Sequence, residues 1–221
     1  MNAQRATGEP GLRERKKRET RQRISDVATG LFVERGFDEV TVAEIARAAD
    51  VSPMTVFNYF PRKEDLFLDR IPEAVELVAE AVRGRAPGEH PLTALRRLAL
   101  GLLDAGHPLS GARARFRPFL HVVAASPALR ARAREAVDEV EHALTEALAE
   151  TAPDIPEPRL LAALAVAAYR TVGTGTAARL LADTDATSED TAAEDALAED
   201  HRLRLTAAFD ALDRAFALPA P

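Results

Sequence analysis

An all-α fold is predicted by three features of the sequence. Val, Ile and Thr seldom alternate with polar residues as they do in strands, and Ala, Leu, Glu and Arg dominate the 221 residues. Apolar residues recur at the spacing of one helix face in most segments. Proline and glycine clusters divide the chain into segments of helical length.

The first predicted helix runs from about Leu12 or Arg13 to Arg35. Its apolar face is formed by residues at i, i+3, i+4, i+7 and i+8, namely Ile24, Val27, Ala28, Leu31 and Phe32. We expect Gly36 to end this helix as a left-handed cap, with Phe37 folding back on the last turn.

Two short helices are predicted next. Thr41 and Glu44 have the spacing of a capping box at the start of a helix that ends near Ala49. Ser52 is a suitable N-cap for the following helix, and Pro53 takes its first position, where the missing N–H costs nothing. Pro61 ends that helix, because the residue before a proline is disfavoured in the α region. Its inward side chains are Val56 and Phe60.

Six further helices are predicted, at about 63–83, 92–104, 110–125, 127–151, 157–183 and 191–217. Pro72 and Pro118 lie inside two of these spans and should kink or split them.

The charge is unevenly distributed. The whole chain has a net charge of −6, yet residues 1–23 hold eight Arg or Lys against three acids. A basic head on an acidic body is suited to binding a polyanion at one end, although a solvated basic tail would have the same composition.

One longer helix followed by two short helices around a tight turn is the tri-helical helix-turn-helix arrangement. In this arrangement the third helix buries one side and offers the other to the major groove of DNA. Its outward residues are expected to be Ser52, Pro53, Met54, Thr55 and Asn58, with Tyr59 and Lys63 placed near phosphates.

Residues 19–66 resemble the DNA-binding domain of TetR-family regulators. The matching marks are F-x-x-x-G-F (32–37), T-V-A-E-I-A (41–46), V-S-x-x-T (51–55), N-Y-F (58–60) and K-E-D-L (63–66). The resemblance implies an arm over 1–12 that is flexible, a DNA-binding domain over 13–66 with its helix-turn-helix at about 41–60, and a helical regulatory and dimerisation domain over 67–221.

The resemblance also implies roles for matched residues. Thr41 and Lys63 would contact phosphates, and Thr55 and Tyr59 would lie at or near the groove. Thr41 also serves as a helix cap, and Tyr59 fits the core equally well. A phosphate would relieve the unfavourable position of Lys63 at a helix start. The sequence departs from the family at Met54, commonly a glycine, and at Phe57, commonly a tyrosine; Phe57 is assigned to packing.

Dimerisation is predicted through the last two helices, which pair between subunits in the resembled family. The residues assigned to this interface are Leu164, Leu205, Phe209, Leu212 and Phe216, with a monomeric core as the alternative. An effector pocket is expected within about 92–180, and its candidate polar residues are His107, Arg117, His121, Tyr169 and Arg170.

Other classes of protein find little support. There is no cysteine, and the five histidines lack the H-x-x-x-H ligand spacing, so we predict no catalytic residues, metal or cofactor. No run of about 18 apolar residues or signal-peptide pattern appears, which favours a cytoplasmic protein without a membrane span. The sequence thus predicts a homodimeric repressor, released from an inverted-repeat operator in double-stranded DNA by a small molecule. The alternative is a helical ligand-binding or protein-interaction module without operator-specific binding.

Overall fold

The computed structural model describes residues 11–182 and 191–216, and in these ranges it is helical with no strand. The predicted all-α class is therefore confirmed. The chain divides into two compact units between Asp69 and Arg70. The predicted flexible arm lies outside the described residues up to residue 10, whereas Gly11 and Leu12 begin the first helix.

The first unit contains four helices: α1 (Leu12–Arg35), α2 (Val42–Ala48), α3 (Pro53–Tyr59) and α4 (Lys63–Phe67). Phe32 is fully buried at their centre. Its ring lies 4.9 Å from that of Phe37 and 5.6 Å, edge to face, from that of Phe67. Such aromatic pairs add stabilisation beyond their buried area, so they fix α4 and the α1–α2 connection against α1.

The end of α1 differs from the prediction at Gly36. This residue has φ of 88° but ψ of 155°, so it is not in the left-handed helical conformation of an ordinary cap. That region of backbone space is open essentially only to glycine. The extended ψ turns the chain away from the helix axis, and Phe37 then packs on Phe32 as expected.

The second unit is formed by α5 (Ile71–Arg83), α6 (Pro91–Asp104), α7 (Arg117–Ala125), α8 (Pro127–Thr151), α9 (Pro158–Ala182) and α10 (Thr191–Phe216). Its core is contributed mainly by α5, α6, α8, α9 and α10. The predicted helix over 63–83 is split, because Pro72 is accommodated in the first turn of α5. The helix predicted over 110–125 starts only at Arg117, after two short 3₁₀ turns. Gly111 is left-handed there, with φ of 65°.

The helix α9 is long and apolar enough to cross a membrane by length and composition, with a mean hydropathy of 1.2. A core helix of a water-soluble protein meets the same criterion. Leu161, Ala162, Ala165 and Val172 of α9 all lie in the core of the second unit. Packing between α8 and α10 accounts for this buried face, whereas Leu160 and Leu164 of α9 remain exposed.

Candidate nucleic-acid interface

The helices α2 and α3, with the short turn between them, form the helix-turn-helix. The Thr41 hydroxyl accepts a hydrogen bond from the Glu44 backbone N–H, and Ser52 Oγ accepts one from the Thr55 N–H, so both predicted caps are present. Asp50 turns the chain with φ of 53°, a left-handed conformation that Asp tolerates better than most residues. These local signals set where α3 begins.

The helix α3 has a buried face and an exposed face. Val56 and Phe60 are 0% and 1% exposed, as predicted, and they anchor the helix. On the opposite side Met54 is 69% exposed and Phe57 is 47% exposed, beside exposed Asn58. The assignment of Phe57 to packing is therefore wrong. Its spacing of three residues from Met54 was the signal that could have placed it on the outer face.

The hydroxyl groups of Ser52 and Thr55 are engaged with the protein itself. Ser52 Oγ and Thr55 Oγ1 lie 2.8 Å apart and share a hydrogen bond. Thr55 is half-buried, and so is Tyr59 at the end of the helix. The exposed amide of Asn58 is thus the principal polar group on the outer face of α3.

Thr41 and Glu44 form a complete capping box. The Thr41 backbone N–H and hydroxyl both donate to Glu44 Oε2 at 2.8 Å. These bonds, with the Arg35 guanidinium 2.9 Å from the other oxygen, lower the pKa of Glu44 to about 2. The single hydroxyl proton of Thr41 is therefore used within the cap, and a phosphate contact would require that proton to turn away from Glu44.

Lys63 joins the start of α4 to the end of α1. Its Nζ donates to the Phe37 carbonyl at 2.6 Å and lies 4.3 Å from the Phe37 ring centroid and 5.6 Å from that of Phe32. Desolvation lowers the pKa of this ammonium group, while neighbouring acids, Asp38 first, act in the opposite direction. A carbonyl and two rings thus stabilise a lysine whose position was expected to require a phosphate.

The basic residues at the start of α1 are helical and exposed. Residues 11–19 are all exposed, and the segment includes Arg13, Arg15, Lys16, Lys17 and Arg18. Arg21 differs from them because its guanidinium donates to the Asp69 carbonyl at 2.9 Å and lies 4.7 Å over the Phe60 ring. The exposed positive charge therefore belongs to the start of α1, residues 13–18, which we call the basic turn. Arg21 instead stabilises the first unit.

Comparison with known proteins supports this site. The family model "Bacterial regulatory proteins, tetR family" matches residues 24–69, which span the end of α1, the helix-turn-helix and α4. The HTH-type transcriptional regulator TcmR of Streptomyces glaucescens is 33% identical over 197 residues, which cover 85% of each chain. The chain belongs to the TetR family. It is a DNA-binding transcriptional regulator with an N-terminal helix-turn-helix.

Other TetR-family proteins match shorter segments or the fold alone. AcrR of Shigella flexneri is 33% identical over 90 residues, 39% of this chain and 41% of AcrR. Among solved structures, NalD of Pseudomonas aeruginosa has a TM-score of 0.50 at 23% identity, over 83% of this chain and 96% of NalD. A regulator from Mesorhizobium loti has a TM-score of 0.53 at 14% identity, over 89% of this chain and 98% of its own. These two show the TetR fold.

Tyr169 and His107 meet at the segment between α6 and α7. The Tyr169 hydroxyl donates to the Leu109 carbonyl at 2.8 Å, and its burial raises the pKa of Tyr169 to about 12. His107 Nδ1 accepts from the Leu109 N–H at 3.3 Å, and its Nε2 lies 3.2 Å from Glu73. The structure therefore brings these two effector candidates of the TetR-family chain together around one residue.

The remaining effector candidates do not join them in an enclosed cavity. Arg170 and His121 are exposed, and Arg117 is half-buried at the start of α7. A shallow apolar groove of about 270 Å³ lies between α5 and α6, but its lining includes Leu98 and Leu102 and none of the five candidates. Helical periodicity alone could not show that Arg170 lies on the outer side of α9.

The residues predicted for the TetR-type dimer interface fall into two groups. Leu205 and Phe209 are 0% and 2% exposed and lie in the core of their own chain, so they have no surface to offer to a partner. Their assignment to the interface is wrong. Leu164 is 38% exposed, whereas Leu212 and Phe216 are half-buried against the core.

Proposed function

We propose that this TetR-family regulator is a cytoplasmic, homodimeric repressor that binds an inverted-repeat operator and is released from it by a small molecule. The observation that carries the DNA-binding part is the two-sided helix α3. Its buried Val56 and Phe60 hold it in place, while Met54, Phe57 and Asn58 project outward. KstR of Rhodococcus jostii, named a transcriptional repressor, is 33% identical over 86 residues, which supports repression as the outcome.

Base reading by α3 should favour A·T pairs. Between Ser52 and Pro61 there is no Arg or Lys, so this helix lacks the side chains that most often contact guanine O6 and N7. Asn58 can pair with the N6 and N7 atoms of adenine. Pro53, Met54, Phe57 and the Thr55 methyl can pack on thymine methyl groups.

Phosphate contacts are proposed for a separate set of residues. The exposed basic turn of α1 lies outside the helix-turn-helix and can follow the DNA backbone. Lys63 retains two N–H bonds beyond the one donated to Phe37, and Thr41 and Tyr59 lie at the ends of α2 and α3. Such contacts position the protein without reading sequence.

Neutralising the positive charges of the basic turn should weaken binding to every DNA sequence. Changing Arg13, Arg15, Lys16 and Lys17 to Gln keeps the helix propensity but removes the charges that displace counterions. We expect the slope of log affinity against log salt to fall by about 0.9 for each phosphate that the variant no longer neutralises. Fluorescence anisotropy across a salt series measures this slope. The exposed Arg134→Gln on α8 is the matched control, and an unchanged slope would make the basic turn a solvated one.

The dimer interface is proposed on the outer faces of α9 and α10. Of seven large hydrophobic side chains that are exposed in the described part of the chain, Leu160, Leu164 and Leu203 lie on these two helices. Small exposed residues continue the faces, with Ala178 on α9 and Ala207 and Ala211 on α10. Paired helices with an apolar outer face can form a four-helix contact with a second copy.

Effector sensing is proposed for the second unit, within about 92–180. Because the chain has no tryptophan and only two tyrosines, a Tyr59→Phe variant leaves Tyr169 as the single strong intrinsic fluorophore. We expect an effector to change Tyr169 emission in this variant and to lower the DNA affinity of the wild-type protein, and saturating DNA should weaken effector binding to the wild-type protein by the same factor. A metabolite library in which no compound changes DNA affinity would contradict the sensor, whereas the DNA-binding part of the proposal would be unaffected.

A further inference from the structure

A buried polar pair joins α9 to α10. His201 is 1% exposed and Thr176 is 0% exposed, and the imidazole Nδ1 lies 2.8 Å from the Thr176 hydroxyl oxygen. The other ring nitrogen, Nε2, is also buried and has no hydrogen-bond partner among the described residues. Neither side chain has a part in the DNA interface or in the effector site proposed above.

Charged groups surround this pair on the same two helices. Arg204 of α10 lies against Gly175 of α9 so closely that a Cβ on residue 175 would collide with the guanidinium. Arg204 NH1 is 3.6 Å from Asp200, and Asp200 is also paired with Arg179 of α9. Arg202, the next residue of α10, is paired with Asp104 of α6. The His201 ring therefore lies near the guanidinium of Arg204 and the carboxylate of Asp200, which is already paired with Arg179 and Arg204.

The neutral imidazole fits this environment and the imidazolium does not. A neutral ring can leave Nε2 as a bare lone pair, but protonation puts a hydrogen on both nitrogens, and a buried N–H at Nε2 would lack an acceptor. Burial and the positive charge of Arg204 accordingly hold the pKa of His201 below its ordinary value, although Asp200 acts in the opposite direction.

We propose that His201 makes the packing of α9 on α10 sensitive to protons, so that acidification loosens this helix pair and thereby weakens dimerisation and DNA binding. The link to function rests on the proposed dimer, because Leu203, the most exposed leucine of the α10 outer face, is two residues from His201. Separation of α9 from α10 would move the outer surface that the second copy would contact.

The direction of the pH effect follows from the lowered pKa. Above about pH 6.5 the ring is neutral in the packed and the opened chain, and there is no penalty. As the pH falls below this value, the opened chain binds a proton that the packed chain does not. The equilibrium constant for opening then rises by up to about tenfold per pH unit, until the pH reaches the lowered pKa of His201 in the packed state.

The test measures hydrogen exchange of α9 and α10 amides and the dimer dissociation constant at pH 7.5 and pH 5.5. Exchange is corrected for its intrinsic pH dependence. Wild-type protein should open at least about threefold more and dissociate more readily at pH 5.5. The variant H201Q, which cannot be protonated, should lose this pH dependence. R204Q should reduce it, because it removes the repelling charge.

The exposed His142→Gln on α8 is the matched control and should behave as wild type. Equal pH dependence in H201Q and wild type would overturn the proposal. If H201Q does not fold, the pKa of His201 is measured in the wild-type protein by NMR titration instead. The His201 signal is assigned by comparison with His142→Gln, which lacks one histidine signal, and with R204Q, which should shift the signal of His201. A pKa at or above 6.5 would overturn the proposal. If the wild-type protein is a monomer at pH 7.5, the proposed dimer is contradicted. The exchange data still test the opening of α9 and α10, because they do not depend on a dimer.

Discussion

Replacing Leu164 and Leu203 with aspartate is expected to give a folded monomer that no longer binds an operator specifically. These leucines are 38% and 61% exposed in the isolated chain, so the substitutions leave its core intact. In the dimer they would place unpaired carboxylates inside an apolar contact, which is strongly unfavourable. A monomer presents one α3 instead of two and loses the second half-site.

Light scattering and operator titration measure this outcome, and circular dichroism checks the fold. Ala149→Asp, at an exposed position of α8, is the matched control and should remain dimeric. By contrast, Phe209→Asp should unfold the second unit, because Phe209 is only 2% exposed within its own core. A dimer that survives both leucine substitutions would place the interface on another surface.

Asn58→Ala is expected to cost about 1–3 kcal/mol on the specific operator and to relax base preference at one position of each half-site. Asn58 is exposed on α3, so the substitution should leave thermal stability nearly unchanged. The loss corresponds to roughly 5- to 150-fold in affinity. Competition titrations with the operator and with single-base variants distinguish the removal of a base-reading side chain from a general loss of affinity.

Lys63→Ala is the informative comparison for Asn58→Ala. It should weaken binding to all sequences about equally, because the ammonium group would bind a phosphate and not a base. It should also lower the melting temperature, because the hydrogen bond to the Phe37 carbonyl is removed. If Asn58→Ala instead weakened specific and non-specific DNA equally, Asn58 would not be a base-reading residue.

Local signals in the sequence predicted the first unit well, because they act over a few residues. The Thr41–Glu44 spacing, Ser52 before Pro53, and Pro61 each determine a helix boundary through backbone hydrogen bonds or fixed dihedral angles. The same patterns also predicted the inward placement of Val56 and Phe60. Those residues lie four apart on a helix that is bounded on both sides.

Features that depend on tertiary packing were not predictable in this way. Phe209 and Leu205 lie on a helical apolar face that fits either a core or an interface, and only the surrounding helices decide between them. The clamp of Lys63 on the Phe37 carbonyl joins residues 26 positions apart. Gly175 lies in no recognisable local motif, and its close contact with Arg204 depends on how α10 packs on α9.

DNA reading by a homodimer through α3 can be tested by selecting bound sequences from a pool of random duplexes with the purified protein. We expect an enriched inverted repeat whose half-site cores consist of A·T pairs, because the exposed Asn58 and the apolar side chains beside it would face the bases. The same selection with Asn58→Ala should return a relaxed preference at one position of each half. Half-site cores made of G·C pairs would rule out base reading by the outer face of α3, and the absence of any enriched repeat would rule out the paired half-sites of a homodimer.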